Sequence, residues 1–424
     1  MGPHRRGAGP PAIHPAPGAA LRHDGISAFS RYNPPMNFTP TRAAGLAALA
    51  DFTARAGRDY AETRNADRGP DDRANVSGLS PYLRYRLITE DEVVDAVHAR
   101  HSPSAAGKFV QEVLWRTYWK GWLELRPAVW RDYLADLADL EAQTGGWRRD
   151  YDRALAGNTG IDAFDAWIAE LTEYGYLHNH ARMWFASIWI FTLRLPWQLG
   201  AALFARHLYD GDPASNTLSW RWVAGLQTAG KTYLATAANI AKYTDGRFTA
   251  AGLATTARPV AGSPVPPPRM LPFAPPPPKG RAGLLIGEDD LCPETLPLGG
   301  AMVAAVASLD GDHGRAPAVE AFVAAALGDA RDRAAATFDA PANALPATAG
   351  AVGDWARGHG LDTIVTGYVP TGPAANALAP LAAELARDGI MLTQVRREWD
   401  TATWPHAQKG YFAFREKCVA LSLI

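Results

Sequence analysis

Apolar positions three and four residues apart predict an amphipathic helix between Thr41 and Tyr60, carried by Leu46, Leu49, Phe52 and Tyr60. A second stripe, Phe109, Val113, Tyr118 and Trp122, runs through FVQEVLWRTYWKGW and reads as a core-facing helix. A third helix passes through Trp167 and Leu171, and an aromatic helix runs from Trp184 to Ile190 until Arg194 and Pro196 interrupt it. From Arg281 onward the pattern changes. Gly283–Gly287, Asp362–Gly367 and Ile390–Val395 are short apolar runs of strand type, separated by Ala-rich stretches that read as helices. Proline-rich residues 257–280, with Pro275 to Pro278, exclude helix and central strand and predict a stiff connection. The expected fold is therefore a mostly α-helical domain over 38–250, a Pro-rich linker over 251–280 and a smaller α/β sandwich over 281–424. The ending WPHAQKGYFAFREK is expected to cap the sheet, where His406 and Lys409 read as surface or packing residues.

Residues 1–37 are rich in Pro, Gly and Ala, with Arg5, Arg6, Arg22 and Arg31, and read as a disordered leader. They have no apolar stretch of signal-peptide type, and Met36 is expected to be the true initiator, which an intact-mass measurement checks. At 424 residues, 47% hydrophobic and 20% charged, the composition is that of a soluble globular protein of two domains. No run of eighteen apolar residues exists, so a membrane span is not expected and the location reads as cytoplasmic. Cys292 and Cys418 are too few for a disulfide framework and lack metal-ligand spacing; no metal site is expected. The formal net charge of −1 leaves no overall basic footprint. Residues 41–250 hold 24 Lys+Arg against 25 Asp+Glu, and residues 281–424 hold 11 against 17. Any phosphate-binding surface must be a local patch on the first domain.

The chemistry concentrates between Gly175 and Trp222. This stretch opens with His178, Asn179, His180, Arg182 and Met183, and closes on Asp210-Gly-Asp212, Asn216 and Trp220-Arg-Trp222. Eleven of the fourteen tryptophans lie between Trp115 and Trp222, more than core packing asks for, although buried aromatics account for several. In this pattern the chain resembles the photolyase and cryptochrome family, specifically its helical FAD-binding domain. The match rests on His-Asn-x-x-Arg-Met, a Trp fourteen residues after the Met (Trp197), Asp-Gly-Asp, Asn and Trp-x-Trp. The resemblance implies a U-shaped FAD whose ring is held by Arg182, Asp210 and Asp212, with Asn216 facing the flavin N5. A buried carboxylate can accept from the ring while an arginine neutralises it. Arg182 with Asp210 as a purely structural ion pair is the competing reading.

Further segments extend the resemblance over roughly residues 38 to 250. Tyr60-x-x-x-Arg64 and the loop Val76-Ser77-Gly78-Leu79-Ser80-Pro81 match the family's phosphate-binding elements, with Val76 where the family carries Thr. Small hydroxyls and backbone N–H groups ahead of a helix suit an anion, although such a run is also a common helix cap. Glu112-x-x-Trp115-Arg116 matches the helix that lines the family's substrate cavity, and the resemblance assigns Trp115 to stacking on a DNA lesion and Glu112 to hydrogen-bonding it. Residues at i and i+3 share one helix face. The implied DNA-contacting set is Arg64, Glu112, Trp115, Arg116, Asn179 and His180, with His180 where many relatives carry Arg. The implied catalytic set is Glu112, Trp115, Asn179, Met183 and Trp222. An electron route is expected through Trp220 and Trp197 to Trp147. The two cysteines rule out the four-cysteine iron–sulfur site of some distant relatives.

Two functions follow. One is blue-light-driven repair of pyrimidine dimers in DNA, with FAD as cofactor and damaged DNA as partner. The other is a cryptochrome-like sensory flavoprotein, which needs FAD and the tryptophans but not the lesion-binding residues. In the family an α/β antenna domain precedes the helical one, whereas here an α/β domain follows it, and no antenna-pigment motif or protein partner is identifiable in 281–424. A non-photoactive FAD protein is the third possibility.

Overall fold

The computed structural model describes residues 38–143 and 145–424, so the expected leader over 1–37 lies outside the described residues. Helices occupy the chain from Arg42 to Tyr243, and a five-stranded sheet with its helices follows from Gly280. The expected helix from Thr41 to Tyr60 is two helices, Arg42–Thr53 and Arg58–Thr63, parted at Gly57, where a Cβ would strike the His101 ring. Thr41 caps the first by accepting from the Ala44 N–H. The Phe109 stripe belongs to a longer helix, Pro103–Glu124, opened by Ser102 as N-cap and Pro103 at its first position. The aromatic helix is α-helical only to Ser187 and continues as a π-helical turn, Ile188–Thr192. No helix or strand is formed between Thr244 and Lys279.

The sheet is wholly parallel, in the order β3-β2-β1-β4-β5, with β1 Gly280–Ile286, β2 Ala301–Asp310, β3 Ala342–Pro346, β4 Thr363–Gly367 and β5 Met391–Val395. The strands alternate by twos. Leu285, Ala305, Ala307 and Ile364 point to one face, under Trp355, Leu378 and Leu385. Leu284, Val306 and Val365 are register partners on the other face, which merges with the core of the helical layer. Helix Pro317–Phe338 joins the two, its Phe322 ring 5.8 Å from Tyr85 and 5.4 Å from Tyr209.

Two strands, β2 and β3, fall in stretches whose alanines predict helix. Alanine is the strongest helix former, but the middle of β2, Ala305 to Ser308, is buried on both faces beneath a Trp and two Leu side chains and needs small residues, and β3 pairs along it as the edge strand, so tertiary packing decides. The ending of the chain does not cap the sheet. It lies along the Pro103–Glu124 helix: Trp399 Nε1 donates to Thr117 Oγ1 at 3.1 Å, Tyr118 Oη to the Lys409 carbonyl at 2.8 Å, Arg126 to the Gln408 carbonyl at 2.6 Å, and Tyr411 Oη to the Gln111 carbonyl at 3.0 Å.

Candidate functional site

Four motif segments far apart in sequence are tied by direct bonds. Arg64, at the end of the Arg58–Thr63 helix, donates to Glu112 Oε1 at 2.6 Å, and its carbonyl lies 3.0 Å from His178 Nε2. Arg116, one turn beyond Glu112, donates to Asp212 Oδ2 at 2.8 Å. His178 caps the Asn179–Ser187 helix, accepting from the His180 N–H at 3.2 Å. Asp212 caps Pro213–Val223, accepting from the Ser215 N–H at 2.7 Å.

Arg182 and Asp210 form a two-pronged pair with both bonds at 2.9 Å, and Arg182 Nε donates to the Leu177 carbonyl. Burial opposes the Arg182 charge, and the Asp210 carboxylate outweighs it, so its pKa lies above the ordinary value. Yet 23% of this side chain stays accessible. The Tyr176 ring lies between two guanidinium groups, Arg182 at 5.3 Å and Arg73 at 5.0 Å. Asn216 donates its amide to the Ala201 carbonyl at 2.7 Å, which leaves Oδ1 to accept from another group. Tyr60, Arg64, Glu112, Trp115, His180, Met183 and Trp222 are half-buried, and Asn179 is exposed.

The loop over 76–80 turns at Gly78, whose φ of +65° favours glycine, and Ser77 Oγ accepts from the Leu79 N–H at 3.3 Å. Val76, Ser77, Gly78 and Ser80 are half-buried, whereas Leu79 is sealed in the core.

Burial raises the Glu112 pKa, with Arg64 opposing it, and lowers His178 to about 4. His180 is lowered by burial and by Arg64, so the pair is held neutral near pH 7. Burial alone would raise Asp212, but Arg116, Lys120 and Arg84 hold it well below the usual carboxylate range.

Two expectations change. Arg116, expected among DNA contacts, points inward: it pairs with Asp212 and with Glu90 at 3.4 Å, and 11% of its side chain is accessible. A guanidinium committed to two buried carboxylates is not free for phosphate. The second concerns the electron route. Trp197 stacks on Tyr133 at 5.5 Å, while the Trp220 ring meets Trp189 at 6.2 Å, Trp189 meets Tyr151 at 5.8 Å and Tyr151 meets the half-buried Trp147 at 5.8 Å. The Trp220 ring also rests on Gly200, in the helix that starts at Trp197, so closely that a Cβ there would lie 2.3 Å from it. Sequence reasoning passed over Trp189 and Tyr151 because each reads as ordinary core. Their only signal was helical spacing: Phe185 and Trp189 are four residues apart, as are Trp147 and Tyr151.

A buried two-pronged arginine–aspartate pair, a free amide oxygen and a cluster of half-accessible aromatics inside a helical layer define a cofactor-binding helical fold. Residues 109–247 match the family described as the FAD binding domain of DNA photolyase. This domain is of the photolyase FAD-binding type, and it is shared with photolyase and cryptochrome relatives. It is 38% identical over 167 residues to a deoxyribodipyrimidine photo-lyase of Streptomyces griseus, covering 38% of this chain and 35% of that protein. It is 27% identical over 179 residues to a cryptochrome DASH of Idiomarina loihiensis, covering 41% and 39%. Among solved structures, a bacterial class III photolyase from Agrobacterium tumefaciens is similar at 26% identity over 48% of this chain and 43% of that one, with a TM-score of 0.40. The chain spans less than half the length of each of these relatives. No helix among the described residues is long and apolar enough to cross a membrane.

Proposed function

We propose that this protein is a light-driven DNA lyase that splits cyclobutane pyrimidine dimers, acting in the cytoplasm. The observation that carries the reading is the convergence of Arg64, Glu112, Arg116, His178 and Asp212, which come from four motifs and are joined by direct bonds. The residues present fit FAD. Arg182 with Asp210 is a fixed donor and acceptor pair, Asn216 Oδ1 is an acceptor, Ser77 and Ser80 bring hydroxyls, and Ser215 Oγ and His180 Nδ1 are buried without a hydrogen-bond partner.

Bound FAD would supply the light-absorbing one-electron donor. In this reading Arg182, Asp210, Asp212 and Asn216 hold the ring, with Asp212 also fixing the helix on which Asn216 stands. Tyr60 and Val76 to Ser80 take the phosphates. Trp115 and Trp222 stack on a flipped dimer, Glu112 hydrogen-bonds it, Asn179 and Met183 border it, and Arg64 and His180 lie at its rim. Flipping costs a few kcal/mol, less for a damaged pair, so weak stacking of the lesion contributes to selection. The contacting rings Trp220, Trp189, Tyr151 and Trp147 carry electrons inward from the surface.

A cryptochrome-like sensor is the second reading, favoured by the acidic balance of 281–424 and by similarity to a cryptochrome. Loss of thymine dimers from DNA under blue light, with purified protein and a dark control, tests the choice. Dimers that persist in the light with FAD bound would exclude repair. Trp115→Ala is expected to weaken binding to dimer-containing DNA by roughly 1–3 kcal/mol and spare intact duplex.

A further inference from the structure

Each platform tryptophan of the proposed lesion site is backed by a tyrosine from another part of the chain. Tyr411, on the C-terminal helix Tyr411–Ala420, stacks on Trp115 with centroids 3.7 Å apart and planes 12° apart. Its hydroxyl is anchored to the Gln111 carbonyl at 3.0 Å, on the same helix that carries Trp115, and the side chain is 3% exposed. Tyr233, in the loop after Trp222, stacks on Trp222 at 5.5 Å and 27°. Both tryptophans remain half-buried, and Trp115 also meets the Trp119 ring at 5.3 Å and 34° and the Tyr118 ring edge-on at 5.7 Å.

We propose that Tyr411 and Tyr233 are positioning residues for lesion recognition: each covers one indole face, fixes the plane of its tryptophan and leaves one face to the flipped bases. This deepens the repair reading and rests on it. An indole free to swing would lose rotamer entropy on binding, whereas a plane held in advance does not, so pre-stacking favours the ligand that uses the remaining face. Two neighbouring pyrimidines joined covalently present two rings in a fixed relation and gain from two fixed planes; an ordinary flipped base uses one of them. The tyrosines should therefore act on discrimination between DNAs more than on general affinity. Tyr411 belongs to the segment that follows the sheet, so the α/β half of this chain contributes directly to the site on the helical half.

The test measures Kd for dimer-containing and intact duplex with the FAD-loaded full chain, for wild type, Tyr411→Leu, Tyr411→Phe, Tyr233→Ala and Tyr233→Phe, alongside FAD content and Tm. Leucine at 411 keeps bulk in a buried position, and Tyr233 is half-exposed, so both non-aromatic variants are expected to fold. The ratio of the two Kd values should shrink about two- to tenfold in Tyr411→Leu and Tyr233→Ala, the size of an aromatic pair's contribution. Phenylalanine should restore it at both positions, since the ring rather than the hydroxyl sets the plane. An unchanged ratio in the non-aromatic variants, or equal losses on both DNAs, would overturn the inference while leaving the repair reading intact. A wild type that does not distinguish the two DNAs would overturn both.

Discussion

Arg182 with Asp210, and Arg86 with its three carboxylates, are made of the same chemistry and serve opposite ends. Arg182 keeps 23% of its side chain accessible, whereas Arg86 keeps 2% and reaches Asp400 at 2.6 Å, Glu90 at 3.1 Å and Asp290 at 3.5 Å. Around Arg86 the network spreads: Arg84 pairs with Glu288 and Asp289, and Arg397 forks onto Asp290 with both bonds at 2.7 Å. Apart from Glu90, which opens the helix Glu90–His98, these carboxylates sit just past the end of β1 or near the chain's end, and the arginines of positions 84 and 86 come from the helical layer. The sealed network therefore fixes how the sheet docks on the helices, while the open pair is the one that the proposed function assigns to the flavin. Residue type does not separate the two. Residual accessible surface does.

The largest effect should come from breaking the sealed side. Arg86→Ala leaves Asp400 without its arginine and takes one of two from Glu90 and from Asp290, and breaking a buried pair typically costs about 3–5 kcal/mol. Arg86 also has a φ of +51°, which a non-glycine residue holds only where its surroundings compel it. Urea unfolding should show a loss of that size with little change in slope. A loss under about 1 kcal/mol would mean that the network does not hold the two layers together.

Lys120 sharpens the comparison with the opposite sign. It is buried in the same region, its Nζ has no hydrogen-bond partner, and burial with Arg86 and Arg116 lowers its pKa to about 8. The unfolded chain holds the proton up to the ordinary value of 10.5, so between pH 8 and 10.5 the unfolded state binds more protons and stability rises with pH. Below pH 8 the full cost is present, about 3 kcal/mol at roughly 1.4 kcal/mol per pKa unit. Lys120→Met should stabilise the protein at pH 7 by up to this amount and remove the rise above pH 8. Unfolding curves at pH 7 and 9.5 check both; a destabilised variant would show that the ammonium is a needed partner of Asp212.

On the open side, Arg182→Ala should cost FAD affinity about 1.5–3 kcal/mol, the scale of a charge-assisted bond, while stability falls less than in Arg86→Ala. Titration of apo-protein with FAD, followed by flavin fluorescence, measures it. Unchanged affinity would place Arg182 among the structural pairs.

The helical layer was largely legible because its helices carry long apolar stripes, and the motif residues Arg182, Asp210 and Glu112 stood at recognisable spacings. What the sequence hid was direction. Arg116 shares its motif with Glu112 and Trp115, but only the tertiary position of Asp212 turns it inward. The strands Ala301–Asp310 and Ala342–Pro346 were masked by alanines whose propensity favours helix until sheet pairing overrides it. Tyr411 lies 296 residues from Trp115, and no periodicity reports a stacking partner at that separation.

The smallest change to the fold tests the aromatic route that joins the sealed core to the surface. Trp189 is fully buried, and its Nε1 donates to the Pro196 carbonyl at 2.9 Å. Trp189→Phe loses that bond and part of a ring, a cost on the order of 1 kcal/mol, and keeps an apolar side chain in place. Trp220 touches Trp189, and Trp189 touches Tyr151, so removing the middle indole breaks the run of contacts where no other ring among the described residues spans the gap between those two. Electron tunnelling falls steeply with distance, and phenylalanine is much harder to oxidise than tryptophan, so light-driven reduction of bound FAD should slow strongly with FAD content unchanged. Trp197→Phe disturbs the stack on Tyr133 and leaves the run intact, so its effect should be weaker. Dimer repair by chemically pre-reduced protein should be spared in both variants, because the proposed role of these rings is to load the cofactor and not to touch the dimer. Fast photoreduction in Trp189→Phe together with slow photoreduction in Trp197→Phe would reverse the assignment and return the route to the helix that begins at Trp197.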